Sequence, residues 1–311
     1  MDIQVPRTAY MLQVHVNAKQ VNKFIHQLIS ENQADVFVHI DKKSYEKLNE
    51  EIVKHPNVRV LQKSVGCEWG DISQVDATLL LMREVLASKN HYDFVCLRSG
   101  QDLLIKNQFK DYLTDNTEKI FISSRKMNEK ECGMMKINWP KKARKRYTTV
   151  HPIRIFRRVL MTFYSIGINI FPNRNKWPKE YSLYKGSQWF TIPFDVAKYI
   201  IKYLDENKWY YKFFENTLVP DESFFNTLLM NSPHKKKIVN DNLYFLHWGE
   251  NLSNRNSPQF LTNKELELIE GSECFFARKF DENIDKSIVE YFVKKVNFSK
   301  SIKQEIYKVK L

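Results

Sequence analysis

The sequence is short of the features that mark several common classes of protein. Its 311 residues include only four cysteines, which show neither a Cys-x-x-Cys pair nor metal-ligand spacing: Cys67, Cys96, Cys132 and Cys274. This usage excludes a disulfide framework and fits a reduced cytosolic compartment. No apolar run approaches the roughly 20 residues that span a bilayer. The first residues also lack the basic and then apolar order of a secretion signal, so we expect a cytoplasmic protein.

Acidic residues are also in short supply. The chain has 49 Lys and Arg against 36 Asp and Glu, which gives a formal net charge of +13 at pH 7. Such a surplus attracts nucleic acid, anionic lipid or a phosphorylated small molecule, and charge alone does not choose among them. No two aspartates lie two positions apart, so the sequence has no Asp-x-Asp pair for a divalent metal. It also lacks repeats and Gly/Ser linkers, which favours a single domain over 1–311.

What the first half does contain is an alternation of strand and helix patterns. Short apolar segments typical of buried strands occur at 9–16, 34–41, 57–62, 92–100 and 119–124. Between them, apolar residues at helical spacing indicate helices over 18–32, 44–54 and 73–88. The alternation predicts an α/β fold with a mostly parallel central sheet flanked by helices. Such sheets bind ligands at the carboxyl ends of their strands, where this sequence places His15, Asp41 and Ser99.

The second half opens with a basic stretch. Residues 141–158 hold eight Lys or Arg residues and no acid, and they run into the apolar segment 159–171. A solvated positive face is one interpretation. Nucleic-acid binding would require interleaved aromatic residues or a recognisable module, and neither occurs. Cations followed by an apolar helix fit a peripheral contact of 141–171 with an anionic membrane.

Two acids open a helical pattern in the segment VPDESFF, residues 219–225. Pro220 suits the first turn of a helix, where its missing N–H would be unpaired anyway. Asp221 and Glu222 would then lie at the positive end of the helix dipole, which is a sufficient local explanation. The functional alternative is a general base, a carboxylate at a pocket rim that takes a proton from a hydroxyl. The segment by itself leaves both interpretations open.

A second motif, ECFFARKFDEN at 273–283, places two cations between phenylalanines. Solvated cations near a helix end are the simpler interpretation of Arg278 and Lys279. The alternative is that one of them reaches a diphosphate and neutralises a departing phosphoryl group. Without an Asp-x-Asp pair for a metal, some such cation would have to stabilise the leaving group of a nucleotide-sugar transferase.

Seven segments occur in the order and at about the spacing found in one enzyme family. They are AYMLQVHVNAKQVNKFI, VHIDKKS, GDISQVDATLLLM, CLRSGQDLLI, KGSQWFTI, PDESFFNTLL and FFARKFD, which together extend over 9–281. On these segments the sequence resembles the core-2/I-branching glycosyltransferase family, which also contains the peptide O-xylosyltransferases. The resemblance implies a GT-A-like fold. It also implies an inverting, metal-independent transfer of N-acetylglucosamine or xylose from a UDP-sugar to an acceptor hydroxyl.

The resemblance also implies roles for individual residues. Glu222 matches the catalytic base and Lys279 the lysine that binds the diphosphate. Inversion needs one carboxylate to take the acceptor proton, and fixed cations can receive the charge of the departing diphosphate. Arg278 lies next to Lys279, and Arg255 lies upstream, where the family carries its second diphosphate cation.

His15 and Asp41 match the uridine contacts of the family. The alternative for His15 is a buried histidine whose hydrogen bonds are satisfied within the protein. The alternative for Asp41 is a cap on the helix that begins near Ser44.

Candidate acceptor contacts fall in three short segments. They are Asp102 in SGQD, Gly186, Ser187 and Trp189 in KGSQW, and Arg146 and Tyr147 in RKRY, which resembles a family segment near the acceptor site. A turn aspartate explains the first segment equally well. A strand-entry turn followed by a core tryptophan explains the second. For the third, saccharide contact competes with the lipid contact described above.

The resemblance, taken with the absence of a recognisable anchor and of obvious disulfide bridges, implies a bacterial enzyme that uses no cofactor and no metal and adds N-acetylglucosamine during surface-polysaccharide synthesis. We expect a nucleotide-binding half at about 1–125, an acceptor and catalytic half at about 126–281, and a helical tail at 282–311. The expected location is the cytoplasm, with a peripheral position on the inner face of the plasma membrane. The alternative function is a non-catalytic basic adaptor that binds membranes or polyanions, and a nucleic-acid-binding protein comes third.

Overall fold

The computed structural model describes residues 6–30, 34–249 and 257–296. The chain divides into two compact units. The first unit contains 1–63, 90–117 and 243–311, and the second contains 64–89 and 118–242. Both units therefore combine stretches that are distant in sequence. The single domain with two successive halves and a helical tail stays a prediction.

The described residues form short strands and mostly short helices. The strands are β1 (Thr8–Val14), β2 (Ala34–Ile40), β3 (Val58–Val60), β4 (Phe94–Ser99), β5 (Asp102–Leu104), β6 (Ile120–Lys126), β7 (Tyr184–Pro193), β8 (Ile238–Val239), β9 (Tyr244–Leu246) and β10 (Phe276–Arg278). The helices are α1 (Ala18–Ile29), α2 (Tyr45–Leu48), α3 (Ser73–Leu86), α4 (Phe109–Thr114), α5 (Glu129–Lys136), α6 (Pro152–Ser165), α7 (Phe194–Glu206), α8 (Lys208–Phe214), α9 (Phe224–Met230) and α10 (Leu266–Glu270). A further helical segment covers 286–296.

In the first unit, four strands form a parallel sheet in the order β3-β2-β1-β4. Every residue of β1, β2 and β4 is buried, which explains why these strands have continuous apolar sequences rather than alternating ones. The backbone N–H of Asp41 donates to Val14 O at 2.8 Å, and that of Gly100 donates to Gln13 O at 3.0 Å. The carboxyl ends of the three central strands are thus held at one edge of the sheet.

The first unit also contains a smaller sheet. Strand β10 lies between β5 and β9, antiparallel to β5 and parallel to β9, so that Arg278 pairs with Asp102. Helix α1 buries one apolar stripe that includes Val21, Phe24 and Leu28. Phe24 meets Phe276 of β10 edge to face, with ring centroids 6.3 Å apart. The segment that carries Arg278 and Lys279 is therefore anchored in the core of this unit.

In the second unit, β6 lies between β7 and β8, antiparallel to β7 and parallel to β8. Aromatic side chains from α8 and α9 fill its core; the rings of Tyr210 and Phe224 pack 5.0 Å apart. The predicted α/β fold of GT-A type, with mostly parallel strand pairs, is confirmed. Within the described residues, no helix combines the length and the apolar character needed to cross a bilayer.

The turn before α9 differs from the prediction. Pro220–Glu222 form a single 3₁₀ turn instead of the first turn of the α-helix, which begins only at Phe224. Val219 before the turn is left-handed, with φ 56°, and Ser223 after it has φ −129°. Ser223 thus separates the turn from α9, and Val219 separates it from the preceding chain. The expected alignment of Glu222 with the dipole of a continuous helix is therefore wrong, and a different contact holds this side chain.

Candidate active site

The strand ends of the first unit hold the two predicted uridine contacts close together. His15 follows β1 and Asp41 follows β2, its parallel neighbour. Ser44 Oγ donates to the carbonyl oxygen of His15 at 2.8 Å. The backbone N–H of Lys43 donates to Asp41 Oδ1 at 2.8 Å. Asp41 thus folds the loop after β2, whereas the N-cap position of α2 is occupied by Ser44.

Electrostatic interactions connect these strand ends to the FARKF segment. Partial desolvation lowers the pKa of His15 from its usual value; Asp41 raises it, and Arg278 and Lys279 lower it further. Burial within β2 lowers the pKa of His39 to about 4. Both imidazoles are therefore neutral at pH 7. We call His15, Asp41, Arg278 and Lys279 the donor cluster, because the structure brings these four predicted residues together within one unit.

A cleft of about 330 Å³ opens beside the ends of β1 and β2. It is lined by His15, Val16, Asn17, Ala18, Lys19, Ser44, Lys47, Leu48 and Glu51. This volume lies at the lower end of the range for small-molecule sites. Its lining combines aliphatic surface with hydroxyl, amide and ammonium groups, which suits a polar ring such as a nucleoside.

Lys279 is positioned by groups on its own unit. Its Nζ donates to Ser257 Oγ at 3.0 Å and lies 5.9 Å from the centre of the Phe260 ring. Its backbone carbonyl accepts from the N–H of Leu261 at 2.8 Å. These contacts hold the Lys279 side chain and the backbone of its segment in place within the first unit.

Asp102 lies in a buried charged network. The side chain is fully buried, and its Oδ2 accepts from the backbone N–H of Ser99 at 2.7 Å and from Tyr244 OH at 2.6 Å. Its Oδ1 lies 3.5 Å from Arg278 Nε. Burial raises the pKa of Asp102, while Arg278, Tyr244, Ser99 and Arg98 lower it. This environment favours a carboxylate that positions Arg278 over one that contacts the acceptor.

In the second unit, Glu222 belongs to a group of four charged side chains. Its Oε2 lies 3.2 Å from Lys185 Nζ. Lys185 of β7 pairs across the strands with Arg125 of β6. Arg125 makes a bidentate ion pair with Glu131, with distances of 2.7 and 2.5 Å. We call Glu222, Lys185, Arg125 and Glu131 the Glu222 cluster.

The pKa values in the Glu222 cluster follow from these contacts. Hydrogen bonds from Arg125 lower the pKa of Glu131 to about 2. Burial raises the pKa of the neighbouring Asp221, and Glu222 raises it further. Within the described residues, Asp221 Oδ1 is buried and has no hydrogen-bond partner. Of the two acids in the turn, Asp221 is thus the one whose charge is disfavoured, while Glu222 has a cationic partner.

The KGSQW segment is fixed by packing. A Cβ at Gly186 would lie 1.7 Å from the carbonyl oxygen of Ser123, so only glycine fits there. Asn226 Nδ2 donates to Ser187 O at 3.0 Å and to Glu222 O at 3.1 Å, which joins this strand to the turn. Trp189 is buried. Gly186 and Trp189 therefore fit the alternative of a strand-entry turn and core tryptophan better than a direct ligand contact.

The remaining predicted residues lie apart from these clusters in sequence. Tyr147 stacks on His151 with ring centroids 4.1 Å apart and donates to Lys142 O at 2.8 Å. Arg146 is exposed next to it. Arg255 lies outside the described residues. Among the described residues, no three His, Cys, Asp or Glu side chains form a group suited to a metal ion, and metal independence itself stays a prediction.

Comparison with known proteins identifies the family. Residues 8–270 match the family model described as Core-2/I-Branching enzyme. The chain belongs to this family. The prediction from the seven segments is therefore confirmed, and the Core-2/I-branching match covers both units of the structure.

Curated relatives of this Core-2/I-branching chain carry the name xylosyltransferase. The chain is 24% identical to a xylosyltransferase of Ciona intestinalis, over 93% of this chain and 34% of that protein. It is 25% identical to one of Drosophila melanogaster over 91% and 32%, and 26% identical to xylosyltransferase 2 of Homo sapiens over 93% and 34%. The chain thus spans about a third of the length of the curated relatives it matches.

Sequence reasoning missed several charged residues beside the predicted ones. Lys185 stands directly before the glycine of KGSQW, so the quoted motif already contained it. Arg98 is fully buried, with its guanidinium 5.1 Å from the centre of the Tyr244 ring. Arg125 and Glu131 belong to no motif: the strand register brings Arg125 to Lys185, and Glu131 of α5 joins them through its ion pair with Arg125. The available signals were the lysine of KGSQW and a cation inside a buried strand, Arg98.

Proposed function

We propose that the protein is an inverting glycosyltransferase that moves a sugar from a UDP-sugar to a saccharide hydroxyl. The donor cluster carries this proposal. Three residues that the family resemblance implies for nucleotide binding, His15, Asp41 and Lys279, lie near one another and near Arg278 at the carboxyl edge of a parallel sheet, and His15 lines a cleft of about 330 Å³. This edge is where α/β sheets bind their ligands. Because the chain belongs to a glycosyltransferase family, a nucleotide-sugar is the class of ligand that we assign to this edge of the sheet.

In this proposal the donor cluster binds UDP. Asp41 and the neutral His15 contact the uridine, and Lys279 and Arg278 face the diphosphate. Arg278 is oriented by the buried Asp102 at 3.5 Å, and Lys279 by Ser257 at 3.0 Å. Cations that are fixed before the reaction stabilise the charge that develops on the leaving group without reorganising.

Glu222 acts as the general base. It takes the proton of the acceptor hydroxyl while the hydroxyl oxygen bonds to the anomeric carbon and the bond from that carbon to the UDP oxygen breaks. UDP leaves with the bonding electron pair. Lys185 Nζ, 3.2 Å from Glu222 Oε2, holds this carboxylate in place.

Sugar, acceptor and location are the finer parts of the proposal. The sequence resemblance favours N-acetylglucosamine, whereas the relatives named xylosyltransferase make xylose the second donor to test. We propose a bacterial surface polysaccharide or its lipid-linked precursor as acceptor, with the enzyme on the inner face of the plasma membrane. Among the predicted acceptor contacts, Ser187, Arg146 and Tyr147 remain candidates for saccharide binding.

A donor panel tests the proposal. The purified full chain is incubated with UDP-N-acetylglucosamine, UDP-xylose or UDP-glucose and a set of bacterial oligosaccharides, with and without EDTA. Released UDP is measured, and products are identified by mass spectrometry. We expect UDP release with one donor and no effect of EDTA. Activity that EDTA abolishes would contradict the metal-free mechanism.

The net charge of +13 also supports a second candidate, the non-catalytic basic adaptor. Calorimetry with UDP separates the two functions, because an adaptor has no reason to bind the nucleotide specifically. We expect saturable binding of UDP with a stoichiometry of about one, the value for a single donor cleft. Tight, salt-sensitive binding of nucleic acid without UDP binding would favour the third function instead.

A further inference from the structure

Helix α6 carries apolar residues on two sides. On its inner side, Leu160 is buried in a core cluster with Ile137, Trp139 and Val219, and Met161 and Tyr164 pack against that cluster. Both Leu160 and Tyr164 lie in the segment 141–171, for which the sequence suggested a membrane contact. In the structure Leu160 is buried and Tyr164 packs against the cluster, so these two side chains attach the helix to its own unit.

The outer side of α6 is also apolar, and it is exposed. It consists of Ile155, Phe156, Val159, Phe163 and Ile166, continued by Ile168, Ile170 and Phe171, and we call these eight residues the α6 face. Ile166 is 66% exposed and Ile168 is 50% exposed. Single apolar residues on a surface are ordinary, but a contiguous set of large ones indicates an interaction site.

Positive charge prevails in the sequence around the α6 face, although α5, which carries Glu129 and Glu131, packs against α6. No aspartate or glutamate occurs between Glu131 and Glu180, so that α6 and both of its flanking segments lack acids. Exposed cations precede and enter the helix: Lys141, Lys142, Lys145, Arg146 and Arg158. Arg157, in contrast, is buried and packs over the rings of Trp69 and Tyr147 at 5.7 and 5.4 Å. Of the exposed cations, Lys145 lies 4.0 Å from Glu68 Oε1, and the others face solvent, where an anionic partner can reach them.

We infer that the α6 face docks on an anionic lipid bilayer. A bilayer supplies acyl chains for the apolar residues and negative headgroups for the cations that flank them. Nucleic acid or another polyanion would match the cations but leave the apolar residues in water. A second copy of this chain would cover the apolar residues but bring two cationic surfaces together. Only the lipid surface matches both properties.

Vesicle sedimentation with the full chain tests this inference. We expect binding to phosphatidylcholine vesicles that contain phosphatidylglycerol, weak binding to phosphatidylcholine alone, and a loss of binding as salt increases. The double variant Phe163→Gln/Ile166→Gln should lower the partition coefficient about tenfold or more, since it removes two inserted apolar side chains. Arg158→Gln should lower it about fivefold, which corresponds to one surface cation.

Leu268→Gln is the matched control, because Leu268 is 59% exposed on α10, away from α6 in the sequence and in the other unit. It should bind vesicles like the unchanged protein. Equal binding by the control and by the double variant would overturn the inference. So would a dimer, detected by analytical ultracentrifugation without lipid, that the double variant abolishes. The assay contains neither donor nor acceptor, so its failure would leave the proposed glycosyl transfer intact.

Discussion

The donor cluster and the Glu222 cluster hold their charges in different ways. In the first unit, Asp102 is fully buried and fixes Arg278 through a network that includes Tyr244 and a backbone N–H. In the second unit, the side chains of Lys185 and Glu222 are 26% and 38% exposed. A cation that stabilises a leaving group must be in place before the reaction, whereas a base must be reached by the acceptor. The difference in burial matches the two proposed tasks.

The largest expected effect is that of Glu222→Gln. Glutamine preserves the shape of the side chain but takes no proton, so kcat should fall about 10²- to 10⁴-fold. Thermal stability should stay nearly unchanged, because the side chain is partly exposed. UDP release and thermal unfolding measure the two quantities. The control is Glu206→Gln, which alters only an exposed ion pair with Lys202 at 3.9 Å. Undiminished turnover in Glu222→Gln would remove this residue as the base.

Lys279→Met tests the proposed role of the donor cluster. Loss of the ammonium should lower kcat/KM about 10²-fold and weaken UDP binding, because less charge on the leaving diphosphate is neutralised. Steady-state kinetics and calorimetry with UDP are the measurements. Lys264→Met, at an exposed position of the same unit, serves as the control. If both variants bind and turn over UDP-sugar equally well, Lys279 has no part in donor binding.

Asp102→Asn should act mainly on folding. The change removes a fully buried carboxylate that pairs with Arg278 at 3.5 Å, so we expect a loss of about 3 kcal/mol in the free energy of unfolding. Urea denaturation measures it. Asp111→Asn on the surface of α4 should change the same quantity by less than about 0.5 kcal/mol. A small effect at position 102 would mean that Arg278 is held by other contacts.

The smallest expected effect concerns Glu131 and depends on pH. Its pKa is lowered from 4.5 to about 2, chiefly by hydrogen bonds from Arg125, so its stabilisation is present above pH 4.5 and is lost as the pH falls towards 2. Glu131→Gln should therefore be less stable at pH 7 by about 1 kcal/mol, because the Arg125 side chain is exposed to solvent. Urea denaturation over this pH range should show the difference disappear. A constant difference would contradict the ion-pair explanation.

Much of the fold could be predicted from local patterns. Helices α1 and α3 and strands β1, β2 and β4 lie within a few residues of their predicted ranges, because apolar periodicity reports which side of an element is buried. The turn at Pro220 was harder. The 3₁₀ turn is bounded by Val219, which is left-handed, and by Ser223, which has φ −129° and ψ −32°, and neither residue type predicts its conformation from the sequence.

The site was predicted in part. Residues that follow parallel strands, such as His15 and Asp41, necessarily meet at one edge of the sheet. The family motif then added Arg278 and Lys279, and the structure places all four in one cluster. The burial of individual side chains could not be predicted from the sequence. Asp102 and Trp189 are residue types that often contact ligands, but both side chains are buried. The exposure of a side chain depends on what covers it, and the covering elements come from distant parts of the chain.

The sequence by itself determined three things about this protein: the α/β class, the family and the polar residues at the strand ends. Apolar periodicity, the alternation of strands with helices, and the order of the motifs can all be read along the chain. Only the tertiary structure decided that Lys185 pairs with Glu222, that Asp102 orients Arg278, and which side of α6 meets solvent. Each of these contacts joins segments that are distant in the sequence. Folding brings their side chains within a few ångströms of each other, a distance at which electrostatic interactions and burial become strong.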